Sequence, residues 1–186
     1  DKGIYRLLEI WPDLKIGPAE LNFHAWGEER EALQRSVCRL GLEDRVHVND
    51  AYSTPEELSA ILAGTDLVVL PSETEGLPVV LLEAMAHGVP FVATDVGAIR
   101  VLAGENPDVR VVPLDNRALG KAIEEMVDAI RAGTVRSDRL QNYYQTRYGH
   151  AKLSRRWTGA LLHPEQVWES SKPRAHEVST HAIEGG

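Results

Sequence analysis

Cysteine is almost absent from this chain: Cys38 is the only one in 186 residues, so no disulfide can form within it. The segment around Cys38 has the apolar spacing of a helix, which predicts a buried structural thiol and not a nucleophile. Long hydrophobic runs are also absent. None approaches the ~18 residues of a membrane-spanning helix, and no basic-then-apolar leader is present. These absences favour a reducing, cytoplasmic location and leave peripheral contact with a membrane surface open.

Basic residues are scarce, because 20 Lys and Arg stand against 28 Asp and Glu, for a formal net charge of −8. This balance disfavours nucleic acid as a partner, since a surface that binds it must neutralise many phosphates. A mononucleotide is not excluded, because it needs only a small local site.

Several motifs for cofactors and metals are missing as well. The sequence has no Gly-x-Gly, and therefore no dinucleotide fingerprint, and it also has no Walker-type phosphate loop. It has no Asp-x-Asp pair and no His or Cys spacing typical of zinc. We therefore expect no bound metal and no cofactor.

Short apolar runs alternate with helical patterns along the chain, which is typical of an α/β fold with a parallel, doubly wound, Rossmann-like sheet. The composition, 43% hydrophobic and 26% charged, suits one compact domain of this length. We predict this domain over residues 1–163 and a polar, disordered tail over residues 164–186. The predicted strands cover residues 21–25, 45–48, 67–70, 89–94 and 109–112.

The helical patterns have readable ends. We predict helices over residues 28–40, from Pro55, over residues 117–132 and over residues 137–162. The first stops at Gly41, which suits the left-handed conformation at a helix end. Thr54 and Glu57 form a capping box at the start of the second. Asp115 or Asn116 is available to cap the third.

The residues that carry chemistry lie where the strand over residues 67–70 ends, in the turn Pro71-Ser-Glu-Thr-Glu75-Gly76. A helix is predicted to begin at Pro78, and its first turns carry no charge until Glu83. The backbone N–H groups at the start of a helix donate readily to an anion, and this arrangement suits a pyrophosphate. The donors would be the N–H groups of Gly76, Leu77, Val79 and Val80.

Two acids flank this helix start. Glu75 lies just before it, and Glu83 lies about one and a half turns inside it, among apolar residues. A buried carboxylate needs hydrogen-bond partners, because its desolvation is costly, and the hydroxyl groups of a sugar or ribose would supply them. The alternative is that both are ordinary surface glutamates.

The stretch Pro71-Ser-Glu-Thr-Glu75-Gly-Leu-Pro-Val-Val-Leu-Leu-Glu83-Ala-Met-Ala-His-Gly-Val-Pro90 resembles the signature of the retaining group 1 (family 4) glycosyltransferases of the GT-B fold. The family's Glu-x7-Glu pattern and its context are matched at Glu75, Gly76, Pro78, Glu83, Ala84, Ala86, Gly88 and Pro90. The resemblance implies the C-terminal, nucleotide-sugar-binding half of a transferase. Such an enzyme moves a sugar from a nucleoside diphosphate to an acceptor hydroxyl and retains the anomeric configuration.

The resemblance also implies roles for individual residues. Glu75 would contact the donor sugar near the reacting centre, and Glu83 would hydrogen-bond the ribose. Lys2 would pair with the diphosphate, and electrostatic help of this kind replaces a metal in this fold. The backbone that would hold the diphosphate is that of Gly76, Leu77, Pro78 and Val79.

The similarity covers about residues 1–160 and weakens in two loops, residues 23–27 and 98–100, that commonly lie near the donor. Base selection is expected from residues 50–53. Trp26 is a candidate for stacking on a base or sugar, although packing inside the fold is the preferred interpretation.

One strand of the family's sheet is not in this sequence. The family's first strand ends in an Arg that is followed by Lys-Gly, and here only Lys2-Gly3 is present. With that strand restored, the strand over residues 67–70 is the fourth of six, and its loop lies at the switch point where such sheets bind ligands. We therefore expect a chain cut just downstream of a central strand, without the acceptor-binding N-terminal domain, and with little or no activity by itself.

Two other classes stay open. One is a non-catalytic relative that binds a nucleotide or sugar, and the other is an epimerase or phosphorylase of the same two-domain fold. A phosphorylase would release a sugar phosphate and not a nucleoside diphosphate. The sequence does not identify the nucleotide base, the sugar or the acceptor, which is a glycan, a lipid or a small molecule.

Overall fold

The computed structural model describes residues 2–149 of the chain. Five strands and seven helices alternate along these residues, with one short 3-10 turn. They are α1 (Ile4–Ile10), the 3-10 turn (Trp11–Asp13), β1 (Leu21–Ala25), α2 (Gly27–Leu40), β2 (Val46–Asp50), α3 (Pro55–Ala63), β3 (Val68–Leu70), α4 (Val79–His87), β4 (Phe91–Thr94), α5 (Ile99–Ala103), β5 (Val109–Val112), α6 (Asn116–Arg131) and α7 (Ser137–Tyr148). The predicted continuation of the last helix to residue 162 and the predicted tail over residues 164–186 lie outside the described residues.

The strands form two parallel sheets, one of β1 and β2 and one of β3, β4 and β5 in that order. Leu21 pairs with Val46 in the first sheet, and Phe91 pairs with Val68 and Val109 in the second. Each parallel pair is connected through a helix, as parallel pairing requires. Since parallel strands of one sheet end at the same edge, the loops after β3 and β4 are neighbours, and this edge carries the candidate site.

The largest core cluster is shared by α1, α2 and α6 with strands of both sheets. Leu8, Leu33 and Met126 are among its fully buried residues. Burying a side chain of this kind contributes about 1.5–3 kcal/mol. Strand β4, which has a neighbour on each side, is 0% exposed at each of its four residues, whereas β3 is only half-buried.

The predicted α/β fold with parallel strands is confirmed, and all five predicted strands are present with ends shifted by at most two residues. Gly41 ends α2 in the left-handed conformation, with φ of 65°. Asp115 caps α6 by accepting a hydrogen bond from the N–H of Ala118 at 2.8 Å. Helices α1 and α5 were not predicted, because each is too short for apolar periodicity to be decisive.

Two side-chain predictions are wrong. Cys38 is exposed, because it lies on the outer face of α2, and Val37 takes the buried position beside it. Trp26 is 77% exposed, so the preferred interpretation that it packs inside the fold fails. It stands at the N-cap position of α2, directly after β1. The stacking role for Trp26 stays a prediction.

The start of α3 offers a test of local stability. Thr54 Oγ1 accepts from the N–H of Glu57 at 3.2 Å, and the Glu57 carboxylate accepts from the N–H groups of Ser53 and Thr54. Thr54→Ala removes the cap and is expected to lower the free energy of unfolding by about 1 kcal/mol in urea denaturation. Ser53→Ala is the matched control, because it leaves the backbone donor in place and should change stability little. Equal losses in the two variants would contradict a side-chain cap at Thr54.

Candidate functional site

The loop after β3 brings Lys2 and Ser72 to the carboxylate of Glu75. Lys2 Nζ and Ser72 Oγ both donate to Glu75 Oε1, each at 2.7 Å. The side chain of Glu75 is 8% exposed and Ser72 is fully buried, whereas the Lys2 side chain is 66% exposed. Lys2 and Glu75, which were predicted to serve different parts of one donor, are therefore in direct contact.

The carboxyl of Glu75 is held in its ionised form. Burial alone raises its pKa, but the hydrogen bonds from Lys2 and Ser72 and the positive charge of Lys2 outweigh burial, so the pKa lies below the usual glutamate value. Because the folded-state pKa is the lower one, this pairing stabilises the fold above the unfolded pKa. That stability is lost as the pH falls through the folded-state pKa. Since Lys2 is largely exposed, solvent screening keeps the contribution small.

The loop after β4 lies against the backbone of Glu75. Gly97 has φ of 56°, and a Cβ atom at this position would collide with the Glu75 carbonyl, 2.8 Å from its carbon. The N–H of Ala98 donates to the carbonyl oxygen of Gly76 at 3.1 Å. Only glycine combines this backbone angle with so close an approach. The loops after β3 and β4 are therefore fixed to each other at Glu75 and Gly76.

Helix α4 begins at Val79, one residue later than predicted, with Pro78 as its N-cap. Pro78 has no N–H and cannot donate a hydrogen bond to a ligand, so it affects the site only through the direction that it gives the backbone. Its carbonyl accepts from Leu81 at 3.2 Å. Leu77 and Val79 are 57% and 58% exposed, so this helix end is open to solvent. Over residues 2–149, no acceptor is found for the N–H groups of Gly76, Leu77, Val79 and Val80.

Glu83 lies one turn further along α4 and is half-buried. Its carboxylate has no hydrogen bond or ion pair within the part of the chain that the structure describes. Burial, together with the negative charge of Glu83, raises the pKa of Tyr52, which follows β2. Glu83, the residue predicted to hydrogen-bond the ribose, therefore lies near residues 50–53, the segment predicted to select the base. His87 lies at the end of this helix, with Nδ1 2.8 Å from the carbonyl oxygen of Glu83.

Sequence reasoning missed three residues of the site. Ser72 holds the Glu75 carboxylate, and Thr94, itself fully buried, donates its hydroxyl to the carbonyl oxygen of Ser72. Gly97 permits the close approach of the two loops. Thr94 is the last residue of β4 and Ser72 follows β3 by two positions, and a polar residue at the carboxyl end of a parallel strand is the signal that would have found them.

Two further properties concern the described residues alone. Within residues 2–149 there is no group of three or more His, Cys, Asp or Glu side chains arranged to hold a metal ion. In the same range, no helix has the length and apolar character needed to cross a membrane.

Fold and site together define a class: a parallel α/β domain with an open helix N-terminus and a buried acid at the carboxyl edge of its sheet. A family model described as "Glycosyl transferases group 1" matches residues 1–129. The chain belongs to the group 1 glycosyltransferases.

Individual relatives agree with this family. The chain is 31% identical over 133 residues to the MMP alpha-(1->4)-mannosyltransferase of Mycolicibacterium hassiacum, an alignment that covers 70% of this chain and 32% of the relative. It is 31% identical over 123 residues to the putative teichuronic acid biosynthesis glycosyltransferase TuaC of Bacillus subtilis, covering 66% of this chain and 29% of the relative. The chain thus spans about a third of the length of these curated relatives.

Solved structures share the fold. Sucrose-phosphate synthase from Thermosynechococcus elongatus superposes with a TM-score of 0.73 at 24% identity, covering 91% of this chain and 43% of the synthase. HepE of Anabaena, solved in complex with UDP-glucose, superposes with a TM-score of 0.71 at 21% identity, covering 86% of this chain and 45% of HepE.

Proposed function

We propose that this chain is the donor-binding half of a retaining glycosyltransferase, which moves a sugar from a nucleoside diphosphate sugar to an acceptor hydroxyl. The observation that carries this proposal is the row of N–H groups without acceptors at the start of α4, beside the Lys2–Glu75 pair. Backbone donors and a helix dipole at one point favour a group with two or more negative charges. The HepE complex with UDP-glucose supports a nucleotide sugar as that group.

In this proposal the diphosphate accepts hydrogen bonds from the N–H groups of Gly76, Leu77 and Val79. Lys2, whose long side chain is mostly exposed, reaches the diphosphate from the other side. These donors stabilise the negative charge that builds up on the departing diphosphate, which is the usual way in which fixed donors accelerate a transfer. No metal or other cofactor is required for this step.

The two acids have separate roles in the proposal. Glu75, ionised and fixed by Ser72, orients the donor sugar and faces the reacting centre. Glu83 accepts hydrogen bonds from the ribose hydroxyls, which would satisfy a half-buried carboxylate that has no partner over residues 2–149. Residues 50–53 select the base.

The acceptor, a glycan, a lipid or a small molecule, binds to the N-terminal domain of the same polypeptide. The part of this chain that aligns covers only about a third of each curated relative, which supports such a domain. We therefore expect the 186-residue chain alone to transfer little or no sugar. The protein works in the cytoplasm, with peripheral membrane contact if its acceptor is a lipid.

A titration tests the nucleotide site. UDP, GDP and ADP are titrated into the whole polypeptide by calorimetry, and one of them is expected to bind more tightly than the other two. Glu83→Ala should weaken that nucleotide at least ~10-fold, since a hydrogen bond to a charged group contributes about 1.5–3 kcal/mol. Glu125→Ala is the matched control, because Glu125 is an exposed helical glutamate whose ion pair, among residues 2–149, is with Lys121.

The outcomes separate the alternatives. Unchanged affinity in the Glu83 variant would refute the ribose role. Binding without transfer by the whole polypeptide would identify a non-catalytic relative, and release of a sugar phosphate would identify a phosphorylase.

A further inference from the structure

The two carboxylate oxygens of Glu75 have different surroundings. Oε1 accepts hydrogen bonds from Lys2 Nζ and Ser72 Oγ, each at 2.7 Å. Oε2 has no hydrogen bond or ion pair over residues 2–149. The buried side-chain atoms that lack a partner in this range do not include Oε2, so solvent reaches it. One oxygen is therefore anchored, and the other is open to a hydroxyl group of a substrate.

Ser72 is the anchor that sets the direction of the carboxylate. It is fully buried and short, whereas the Lys2 side chain is long, flexible and 66% exposed. An exposed ion pair fixes a geometry weakly, because solvent screens it and ordering a long side chain costs entropy. The orientation of Glu75 therefore depends on where the Ser72 hydroxyl lies.

The position of Ser72 is in turn held from the next strand. The paired residues of β3 and β4 end with Leu70 and Ala93, so Ser72 lies beyond the last pair. Thr94 Oγ1 donates to the carbonyl oxygen of Ser72, and the same hydroxyl lies 3.4 Å from the carbonyl oxygen of Leu70. The bond from Thr94 therefore extends the contact between the two strands into the loop that carries Glu75.

Thr94 is suited to hold another residue in place because it is fixed itself. It ends β4, the central strand of its sheet, where it pairs with Val112 of β5, and it is 0% exposed. Its hydroxyl is the only polar side-chain group of β4. A buried hydroxyl is costly unless it is hydrogen-bonded, and here the closer bond goes to Ser72.

We propose that Thr94 is a positioning residue for sugar transfer. It acts through Ser72, keeps Oε1 of Glu75 anchored and leaves Oε2 to accept a hydrogen bond from a hydroxyl of the donor sugar. Thr94 itself touches neither the donor nor the acceptor. The role in transfer rests on the proposed function, whereas the hydrogen bonds that lead from Thr94 to Glu75 do not.

Removal of the Thr94 hydroxyl in the whole polypeptide tests this role. Thr94→Val keeps the shape of the side chain, and kcat should fall ~10–100-fold, the size of effect expected when a reacting group is misplaced. KM for the donor and the affinity for the nucleotide should stay within ~2-fold of the parent, because the proposed diphosphate donors and Glu83 are kept. Thr94→Ala should show the same loss of kcat without placing a methyl group against the Ser72 carbonyl.

Two further variants separate the hydroxyl from the space that it fills. Thr94→Ser keeps the hydroxyl and should recover most of the lost kcat. Thr65→Val is the matched control, because Thr65 Oγ1 also donates to a backbone carbonyl, that of Ile61 at 2.8 Å, and lies before β3 at the opposite edge of the sheet. Its kcat should match that of the parent.

A double variant distinguishes positioning from general damage to the site. If Thr94 acts through Ser72, Ser72→Ala should lower kcat at least as much as Thr94→Val does. The two changes together should then cost no more than Ser72→Ala alone, since residues that act in one network are not additive.

The pKa of Glu75 gives a second measurement that does not depend on transfer. Burial raises this pKa, and the hydrogen bonds from Lys2 and Ser72 to the ionised carboxylate lower it. Losing the bond from Ser72 should therefore raise the pKa of Glu75 in Ser72→Ala and in Thr94→Val, while Lys2 stays in place. Carbon-13 NMR titration of the Glu75 carboxyl group in the whole polypeptide measures this pKa, and Thr65→Val should leave it unchanged.

The outcomes are distinct. An active parent whose Thr94→Val variant keeps full kcat, or whose Thr94→Ser variant is no better than Thr94→Val, would overturn the positioning role. Additive losses in the double variant, or an equal weakening of nucleotide binding, would overturn it too, because Thr94 would then act on the site as a whole. A parent that transfers no sugar would overturn the proposed function instead, and the pKa titration would still show whether Thr94 holds Ser72 against Glu75.

Discussion

Gly97→Ala is expected to lower the free energy of unfolding by about 2–5 kcal/mol and to weaken nucleotide binding at least ~10-fold. Two costs add. An alanine at φ of 56° is strained by about 1–2 kcal/mol, and its Cβ collides with the Glu75 carbonyl, which adds a packing cost of about 1–3 kcal/mol. To relieve the collision the two loops must separate, which displaces Glu75 and Gly76. Urea denaturation and nucleotide titration measure the two effects.

Gly41→Ala is the matched control for Gly97→Ala. Gly41 has φ of 65°, and a Cβ added there meets no atom within 4 Å. This variant carries the strain without the collision, so it should lose about 1–2 kcal/mol and bind nucleotide like the parent. Equal losses of stability in the two variants would show that the loops after β3 and β4 do not touch as described. Full nucleotide affinity in Gly97→Ala would show that nucleotide binding does not depend on the contact between these two loops.

The elements that the sequence predicted are those with a strong local signal. The capping box at Thr54 and the left-handed end at Gly41 need only neighbouring residues, and both are present. Helix α1 escaped prediction because its N-cap, Gly3, offers no side-chain cap and Pro12 lies two residues beyond its end. Its position is set by Leu7 and Leu8, which are buried against distant parts of the chain.

The candidate site was predictable only in part, for the same reason. The roles of Glu75 and Glu83 came from a motif in consecutive residues and stay predictions, while the open helix start between them follows from the order of residues. The contact of Lys2 with Glu75 joins residues 73 positions apart, and the bond from Thr94 to Ser72 joins residues 22 positions apart. No local pattern specifies such contacts, because the sheet brings them together.

Glu75→Gln in the whole polypeptide is expected to lower kcat/KM for sugar transfer by ~10²–10³-fold, the size of effect seen when one fixed electrostatic contact is removed from a transition state. The substitution keeps an oxygen that accepts from Ser72 and removes only the negative charge. Because Lys2 and Ser72 hold the pKa of Glu75 below its usual value, the parent carboxylate is ionised at neutral pH, and the charge is lost only in the variant. Nucleotide affinity should change little, since the proposed diphosphate donors, the backbone N–H groups at the start of α4 and the Lys2 side chain, are all kept.

Glu73→Gln is the control, because it removes a negative charge from the same loop but leaves Glu75 in place. Glu73 lies two residues away, pairs with Arg6 at 2.7 Å and has a 43% exposed side chain, so its loss should leave transfer within ~2-fold of the parent. Lys2→Met adds a pH test. Without Lys2 the pKa of Glu75 rises, so the acid limb of the rate profile should move to higher pH while activity at alkaline pH reports the loss of diphosphate contact alone. If Glu75→Gln and Glu73→Gln were equally active, the charge at position 75 would have no part in transfer, and Glu75 would be a structural residue that anchors Lys2 and Ser72.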